Sequence, residues 1–222
     1  MENEDFSKCW YYSSCQKKCS TACIRYLEMK NLIDSSELPE LFRYPKSLEP
    51  ENVDYNAFCR LADIKDGILE FVKTGSNLYI CGEKTGTGKS TWASKLMLKY
   101  FDNIWAGNGF TIRGKWVHVP SLLINLKDFS NPVNANGNKL KSILCSCDLV
   151  VWDDIASTGL SNYDLSQLLT LIDTRVFNCK ANIFTGNITS EEEMEKVLGS
   201  RLTSRIWNKS EIITFRGKDR RN

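Results

Sequence analysis

The sequence predicts an α/β protein with a five-stranded parallel sheet, because two of its patterns are typical of that class. First, five short apolar segments alternate with stretches of helical periodicity, which implies right-handed crossovers and a three-layer arrangement of helix, sheet and helix. Second, the segment Asn77–Cys81 leads into a glycine-rich loop of the kind that binds phosphate at the start of a helix. The other four strand candidates are Lys115–Val119, Leu149–Asp153, Ala181–Thr185 and Glu211–Phe215.

The composition is that of a globular protein. Of the 222 residues, 42% are hydrophobic and 25% charged, which excludes a disordered or fibrous chain. The formal charge of +2 is the small difference between 29 basic and 27 acidic residues, so bulk charge does not identify a nucleic-acid binder. The polar start of the chain, Met1–Lys8, is not a signal peptide, and no run of apolar residues is long enough to span a bilayer. We therefore expect a soluble cytoplasmic protein with no membrane partner.

We expect two units along the chain: a small cysteine-rich module with its linker, residues 1–45, and an α/β core, residues 46–222. The chain has nine cysteines, an odd number in a sequence without an export signal, which favours free thiols or metal ligands over a disulfide framework. Four of them cluster near the start of the chain, at Cys9, Cys15, Cys19 and Cys23.

The cysteine cluster predicts a Cys₄ zinc site, because a module of about 35 residues buries too little surface to fold without a staple. On one continuous helix, Cys15 and Cys23 would lie about 12 Å apart, too far for one zinc ion. A shared metal therefore requires the helix to begin late, near Ser20 or Thr21. The alternative is a helix face lined with small buried cysteines. The only histidine, His118, lies in a strand candidate and is not expected to be a ligand.

The loop after the first strand, CGEKTGTGKST, predicts a site for the phosphates of ATP. Gly86 and Gly88 would let successive backbone N–H groups face an anion, Lys89 would reach the β and γ phosphates, and the Ser90 hydroxyl would bind Mg²⁺. Glu83 stands where the usual motif has its first glycine. A glycine-rich turn with a surface lysine is the alternative, which the strand-loop-helix context disfavours. The predicted nucleotide-binding residues are Glu83, Lys84, Thr85, Gly86, Thr87, Gly88, Lys89, Ser90 and Thr91.

The third strand candidate ends in two carboxylates, where a parallel sheet places its ligands. Asp153 would hold Mg²⁺ through water, and Asp154 would polarise the attacking water. Paired aspartates can also simply end a strand. The sequence between Lys89 and Asp153 leaves room for a whole strand, Lys115–Val119, which excludes the simplest adjacent-strand kinases and favours the additional-strand ATPases.

Two further features follow the acidic strand. Asn187, at the end of the fourth strand candidate, could hydrogen-bond the γ-phosphate or the lytic water, although asparagine also ends strands by turn preference alone. Arg201 and Arg205 lie four apart on one helical face, where they could serve a neighbouring subunit or pair with the acidic residues 191–193.

Local signals refine the elements. Ser161 precedes Asp164, and Thr189 precedes Glu192, with the spacing of a capping box at a helix start. The turn-rich segment Asn131–Asn138 predicts an exposed loop.

The segment Gly107–Ser142 interleaves basic and aromatic residues, which suits single-stranded nucleic acid, and an equally simple alternative is a solvated face over core aromatics. A second basic patch, Arg216–Arg221, could equally be a solubilising terminus. The basic residues of the first segment are Arg113, Lys115, Lys127, Lys139 and Lys141, and its aromatic residues are Phe110, Trp116 and Phe129.

The motifs GTGKS, VVWDD, FTGN and LGSRLTSR, in this order and spacing, resemble those of AAA+ ATPases of the DnaC/DnaI type, and specifically the bacteriophage-encoded replicative helicase loaders. CWYYSSCQKKCSTACIRYLEMK looks like the cysteine-rich helicase-binding module of such loaders. WAGNGFTIRGKWVHVPSLL looks like their second strand and initiator-specific helical insertion.

The resemblance implies a P-loop AAA+ core and a set of residue roles. Lys89 and Ser90 correspond to Walker A, and Asp153 and Asp154 to Walker B. Asn187 corresponds to sensor 1, and Arg201 to the arginine finger with Arg205 beside it. Many AAA+ proteins have glutamate in place of Asp154, so we expect slow hydrolysis. The sequence stops shortly after the fifth strand, so we expect a core that lacks the helical lid.

The function implied is that of an ATP-dependent loader that binds the hexameric replicative helicase and helps place it on single-stranded DNA in the bacterial host cytoplasm. Its cofactors would be ATP, Mg²⁺ and Zn²⁺, and it would self-associate when bound to ATP or helicase. Two alternatives remain open: a transposase helper of the IstB type, and an adaptor that blocks the helicase without turning over ATP. A P-loop kinase of small molecules is disfavoured by Asn187 and the arginine pair.

Overall fold

The structure is a computed structural model that describes residues 9–12, 14–15, 22–109, 111–128, 135–155 and 160–220. The helices are α1 Ile24–Ser36, α2 Glu40–Arg43, α3 Tyr55–Asp66, α4 Ile68–Lys73, α5 Lys89–Ile104, α6 Val119–Asp128, α7 Ala135–Ser146, α8 Asn162–Phe177 and α9 Glu191–Ile206. The strands are β1 Asn77–Cys81, β2 Gly114–His118, β3 Leu149–Asp153, β4 Ala181–Gly186 and β5 Ser210–Thr214.

The five strands form one parallel sheet in the order β2-β3-β4-β1-β5. This confirms the predicted α/β class and the five-stranded parallel sheet. β1 and β3 have the predicted bounds. β2 and β5 each begin and end one residue earlier than predicted, and β4 extends one residue further.

Apolar side chains cover both faces of the sheet, as a parallel sheet requires. Leu78 and Ile80 of β1 belong to one buried cluster, with side chains from α1, α3 and α5. Tyr79 and Cys81, which point to the opposite face, belong to a second cluster with side chains from α6, α8 and α9. The sheet is therefore the middle layer of three.

The strand that separates the phosphate-binding strand from the acidic strand is β4. The sequence between Lys89 and Asp153 does contain β2, but β2 lies at the edge of the sheet, outside β3. Because β4 pairs with β1 on one side and with β3 on the other, the ends of β1, β3 and β4 meet at one edge.

A buried arginine holds the N-terminal ends of β3 and β4, opposite the strand ends that carry the predicted magnesium site. Arg175 of α8 is completely buried and donates to the carbonyl oxygens of Cys147 (2.9 Å) and Ala181 (2.6 Å) and to Oδ1 of Asn182 (2.7 Å). Burial lowers the pKa of this guanidinium, although the nearby Cys147 opposes the shift. These bonds join α8 to the starts of β3 and β4, whose far ends carry the predicted magnesium site.

The N-terminal segment packs on the sheet domain. Met29, Leu32 and Ile33 of α1 lie in the same buried cluster as Leu78 of β1. The division of the chain at residue 45 stays a prediction, but the described residues on both sides of it share one core.

The zinc site is not supported. Cys9, Cys15 and Cys23 are all described, yet the described residues contain no group of three or more His, Cys, Asp or Glu side chains that could hold a metal ion. Cys19 lies outside the described residues. Cys23 occupies the N-cap position of α1 without a side-chain hydrogen bond, and α1 begins at Ile24, later than the start that a shared metal would require. The physical reason is that packing on the sheet domain buries the apolar surface for which a metal staple was expected.

Two local predictions need correction and one is confirmed. Ser161 caps α8 in a capping box with Asp164, as predicted. The cap of α9 is Ser190 and not Thr189, because Ser190 accepts the N–H of Glu193. The predicted loop Asn131–Asn138 is helical from Ala135 onward, and residues 131–134 lie outside the described part of the chain.

In the described part of the chain, no helix is both long and apolar enough to cross a membrane.

Candidate nucleotide- and magnesium-binding site

The phosphate-binding loop joins β1 to α5. Gly86 (φ 71°) and Gly88 (φ 104°) adopt the left-handed conformation, which glycine tolerates without steric cost. Lys89 is the first residue of α5 and is 9% exposed. Its Nζ donates to the carbonyl oxygens of Gly82 (3.0 Å) and Lys84 (2.8 Å), so the ammonium group lies inside the curve of the loop.

The position of the first glycine in this loop is explained by β5. A Cβ atom on Gly82 would lie 2.5 Å from the carbonyl oxygen of Phe215, just beyond β5. The Phe215 N–H donates to the Cys81 carbonyl at 2.7 Å and so holds the two segments together. Glu83, in the position usual for glycine, is exposed and outside this contact. The departure from the common motif therefore places the glycine where the sheet requires it.

The predicted magnesium ligands are in contact. Oδ1 of Asp153 accepts hydrogen bonds from the hydroxyls of Ser90 (2.7 Å) and Thr185 (2.7 Å). The Thr185 hydroxyl also accepts the backbone N–H of Asp154 at 3.1 Å, and Asp154 has a left-handed backbone (φ 59°). The serine hydroxyl at the start of α5 and the carboxylate at the end of β3 provide the oxygen ligands that Mg²⁺ prefers.

Sequence reasoning assigned no role to Thr185, whose hydroxyl bonds both the carboxylate of Asp153 and the backbone N–H of Asp154. The signal that could have identified it is a polar side chain two residues before Asn187, at the end of a strand adjacent to β3. Asn187 itself is exposed and lies just beyond Gly186, the last residue of β4. Its role as a γ-phosphate sensor stays a prediction.

A cavity of about 410 Å³ opens beside the loop, within the size range of small-ligand sites. One wall is the loop and the start of α5, from Gly86 to Thr91. Glu83 and Lys84, which sequence reasoning placed in the site, line a separate depression beside Thr214 and Arg216. The other wall was not predicted and consists of Leu41, Phe42, Pro45, Lys46, Leu48 and Arg220.

The residues around this cavity fit a magnesium nucleotide. The buried hydroxyl of Thr87 has no hydrogen-bond partner among the described residues, so the loop contains an unused polar group. A Cβ atom on Gly88 would lie 2.7 Å from Cδ1 of Leu48, so only glycine leaves this wall undisturbed. An ammonium group, an unused hydroxyl and a Ser90–Asp153 pair at a helix N-terminus match the phosphates and the metal of such a ligand.

The segment after β5 is part of the site. Asp54 is completely buried and accepts the backbone N–H groups of Arg216 (2.7 Å) and Gly217 (3.2 Å) and the guanidinium of Arg220 (3.3 Å). The backbone N–H of Arg220 donates to the carbonyl oxygen of Gly86 at 2.9 Å. Arg220 is therefore a structural neighbour of the phosphate-binding loop, and the reading of Arg216–Arg221 as a free basic terminus is wrong for this residue.

The two arginines of α9 differ in their surroundings. Gly199 (φ 77°) interrupts α9 just before them. Arg205 forms an ion pair with Asp173 of α8, and not with residues 191–193. Arg201 is exposed, and the ion pairs recorded within the described residues do not include it. Of the two arginines, Arg201 is the one without an ion pair among the described residues, and its role as an arginine finger stays a prediction.

Most of the described basic residues of the segment Gly107–Ser142 are used within the chain. Arg113 pairs with Asp148, and Lys115 is buried and contacts Glu37 at 2.7 Å. Lys141 donates to Gln167 at 2.8 Å. Trp116 is 4% exposed and therefore belongs to the core, whereas Lys139 is exposed. Phe110, Phe129 and the side chain of Lys127 lie outside the described part.

Comparison with solved structures gives three informative matches. The DnaC helicase loader matches with a TM-score of 0.63 and 20% identity, covering 76% of this chain and 94% of that chain. DnaI matches with a TM-score of 0.62 and 17% identity, covering 83% and 95%. The replication initiator DnaA, bound to AMPPCP and single-stranded DNA, matches with a TM-score of 0.63 and 12% identity, covering 81% and 51%.

No protein-family model matches the chain, and a comparison with curated protein sequences gives no match. At the identities found among the structures, the likeness establishes the fold. The chain has the α/β fold that DnaC, DnaI and DnaA share.

Proposed function

We propose that this protein is an ATP-dependent loader of the replicative helicase. The observation that carries the proposal is the contact of Ser90 and Thr185 with Asp153 at the start of α5, beside a phosphate-binding loop. This arrangement is what an ATPase needs, because both the nucleotide and its metal must be held where a carboxylate can orient water.

Within the site, each residue has a distinct role. Lys89 would bind the β and γ phosphates, Ser90 and Asp153 would hold Mg²⁺, and Asp154 would orient the attacking water. Thr185 holds the carboxylate of Asp153 and the backbone of Asp154 through its hydroxyl. When Mg²⁺ is bound, it would neutralise negative charge on the phosphates.

The choice of a loader over an initiator is supported by the extent of the structural likeness. This chain spans 94% of the DnaC chain and 95% of the DnaI chain, but 51% of the DnaA chain. It therefore matches the loaders nearly from end to end and the initiator over about half its length. A hexameric replicative helicase is the partner we infer, and residues 1–45 are the region we assign to its contact.

Hydrolysis in this proposal needs a second copy of the chain. Lys89, Asp153 and Thr185 approach the site from within one subunit, whereas Arg201 is exposed on α9 without an ion pair among the described residues. A guanidinium supplied by a neighbour would neutralise charge that develops during phosphoryl transfer. Single-stranded DNA would be the substrate onto which the helicase is placed.

The experiment is a pull-down of the purified replicative helicase of the host bacterium on this protein, with and without ATP and Mg²⁺. We expect ATP to change the retained amount of helicase for the wild type, and Lys89→Ala to abolish that change. Lys84→Ala is the matched control, since Lys84 is exposed in the same loop and its side chain lies outside the nucleotide cavity. Absence of helicase binding in every condition would overturn the proposal.

A further inference from the structure

The apolar wall of the nucleotide cavity belongs to one short segment, residues 41–48, which we call the strap. Leu41, Phe42, Pro45 and Leu48 of the strap line the cavity opposite the phosphate-binding loop. Leu48 is in close contact with Gly88, which has no side chain to keep it away. The position of the strap therefore sets the width of the cavity.

The strap packs on the core through the partly buried Phe42 and Leu48, and its Arg43 pairs with Asp34 of α1 at 2.6 Å, but it buries little of its own surface. The helix α2, which contributes its first residues, has no buried residue, and Leu41 is 79% exposed. Phe42 contacts Trp116 of β2 with 5.2 Å between the ring centroids. A segment with so few buried contacts needs a further anchor to stay in one position.

Trp10 provides that anchor from outside the cavity. Its indole N–H donates to the carbonyl oxygen of Arg43 at 2.8 Å. Its ring stacks on Tyr44 of the strap, with centroids 5.3 Å apart and planes inclined by 6°. The same ring also stacks on Tyr26 of α1, with centroids 5.8 Å apart. Trp10 thus contacts both α1 and the strap, and it does not line the nucleotide cavity.

The neighbour of Trp10 in sequence fixes this anchor to α5. The Tyr11 hydroxyl donates to Asp102 at 2.9 Å, and the guanidinium of Arg25 lies 3.4 Å from the centre of the Tyr11 ring. Arg25 also pairs with Asp102 at 3.0 Å. Burial raises the pKa of Tyr11 to about 12, so its hydroxyl stays a donor at neutral pH.

We propose that Trp10 is a positioning residue for the nucleotide site, acting through the strap. This inference rests on the proposed function only in that the cavity binds a nucleotide. Without Trp10 the strap visits positions that do not close the cavity, and the apparent affinity falls by the fraction of molecules in the closed position. By reciprocity, a bound nucleotide stabilises the contact between Trp10 and the strap.

The test compares Trp10→Ala with Tyr12→Ala in binding of a fluorescent ATP analogue with Mg²⁺ and in steady-state ATPase kinetics. Tyr12 is the matched control, since it lies in the same segment and is 57% exposed. For Trp10→Ala we expect the dissociation constant and KM to rise about tenfold, the equivalent of one aromatic pair with a hydrogen bond, while kcat is unchanged. Trp10→Phe keeps a ring but not the N–H group, so its dissociation constant and KM should lie between those of the wild type and those of Trp10→Ala.

A purely structural role for Trp10 would lower the melting temperature and leave KM unchanged in the folded fraction, and that result would overturn the inference. A wild type that binds no nucleotide would overturn the proposed function and this inference together. If Trp10→Ala does not fold, the inference is tested by amide hydrogen exchange of the wild-type protein with and without the nucleotide. The nucleotide should then slow exchange in residues 9–12 and 41–48, with no such effect in Lys89→Ala, and unaltered exchange in the wild type would overturn the inference.

Discussion

Replacement of Thr185 by valine tests how the carboxylates of the site are held. Thr185 is 2% exposed, and its hydroxyl makes two bonds, one to Oδ1 of Asp153 at 2.7 Å and one from the N–H of Asp154 at 3.1 Å. Valine has nearly the same shape but neither bond. After the substitution, the Asp153 carboxylate keeps its hydrogen bond from Ser90 but loses the one from residue 185. The backbone N–H of Asp154, which has a left-handed backbone, loses its hydrogen bond to that side chain.

The expected magnitude follows from the kinds of bond removed. A hydrogen bond to a charged carboxylate contributes about 1.5–3 kcal/mol, and a buried N–H left without a partner costs a similar amount. Because the two groups can partly relax, we expect the free energy of unfolding to fall by about 2–4 kcal/mol. Misplacement of the carboxylates should reduce kcat by about tenfold to a hundredfold, which corresponds to the loss of one such bond in the transition state.

Urea unfolding and steady-state ATP hydrolysis measure the two effects separately. Thr214→Val is the matched control, because Thr214 ends β5 at the same end of the parallel sheet. The described partner of its hydroxyl is a thiol, Sγ of Cys81 at 3.2 Å, and not a carboxylate. We expect this control to lose about 0.5–1.5 kcal/mol of stability, the range for a neutral hydrogen bond, with kcat unchanged. A Thr185→Val protein with the kcat of the wild type would refute the reasoning.

Three further predictions concern separate parts of the molecule. Lys89→Ala should bind no ATP in a titration with a fluorescent analogue. Its melting temperature should stay near that of the wild type, because the Lys89 ammonium faces the loop and not the apolar core. Retained ATP binding would contradict the assignment of the nucleotide site to this loop. Arg201→Ala should bind ATP normally and lose hydrolysis, whereas Arg205→Ala should keep hydrolysis and lose about 0.5–1 kcal/mol of stability with its ion pair to Asp173; equal hydrolysis by the two variants would exclude Arg201 as a finger. Burial tends to raise the pKa of Asp148, but the hydrogen bonds from Arg113 and Lys180 outweigh burial and lower the pKa. The ionised carboxylate therefore stabilises the fold at pH values above its unfolded pKa of about 4. This stabilisation is lost as the pH falls through the lower pKa of the folded state. The difference in unfolding free energy between wild type and Asp148→Asn should therefore be full at pH 7 and close as the solution is acidified, and a difference that is independent of pH would contradict this.

The sheet and the phosphate-binding loop could be predicted from the sequence because they depend on local patterns. The strand candidates are short apolar runs, and the loop residues Gly86, Gly88 and Lys89 follow β1 directly. The acidic pair was predictable for the same reason, since Asp153 ends β3. The position of β4 between β1 and β3 was not predicted, because sequence order does not state which strands are neighbours.

The missing parts of the site come from segments far away in sequence. Leu48 and Arg220 reach the cavity from the two ends of the core, and no periodicity marks either of them. Asp54 could not be recognised as a buried acceptor, because its partners are backbone N–H groups more than a hundred residues later, at Arg216 and Gly217. Thr185 was overlooked because Asn187, two residues later, fitted a familiar role.

The zinc prediction has no support among the described residues, and the packing of the N-terminal segment gives a physical reason. It treated the first residues as an isolated module that had to stabilise itself. In the structure, Trp10 and Tyr11 contact α1, α5 and the strap, so aromatic packing and the Arg25–Asp102 pair hold this segment on the core. Cysteine spacing alone could not reveal this, because the partners lie elsewhere in the sequence.

The most direct test of the loader proposal is to measure helicase activity on circular single-stranded DNA with an annealed oligonucleotide, since a closed hexamer cannot thread onto a circle from an end. A bacterial replicative helicase, with ATP, should displace the oligonucleotide faster when wild-type protein is added, and Lys89→Ala should give no such increase. Lys84→Ala should behave as the wild type does. Displacement that is slowed by the wild-type protein, in the presence of ATP, would contradict the loader and identify an inhibitor of the helicase instead.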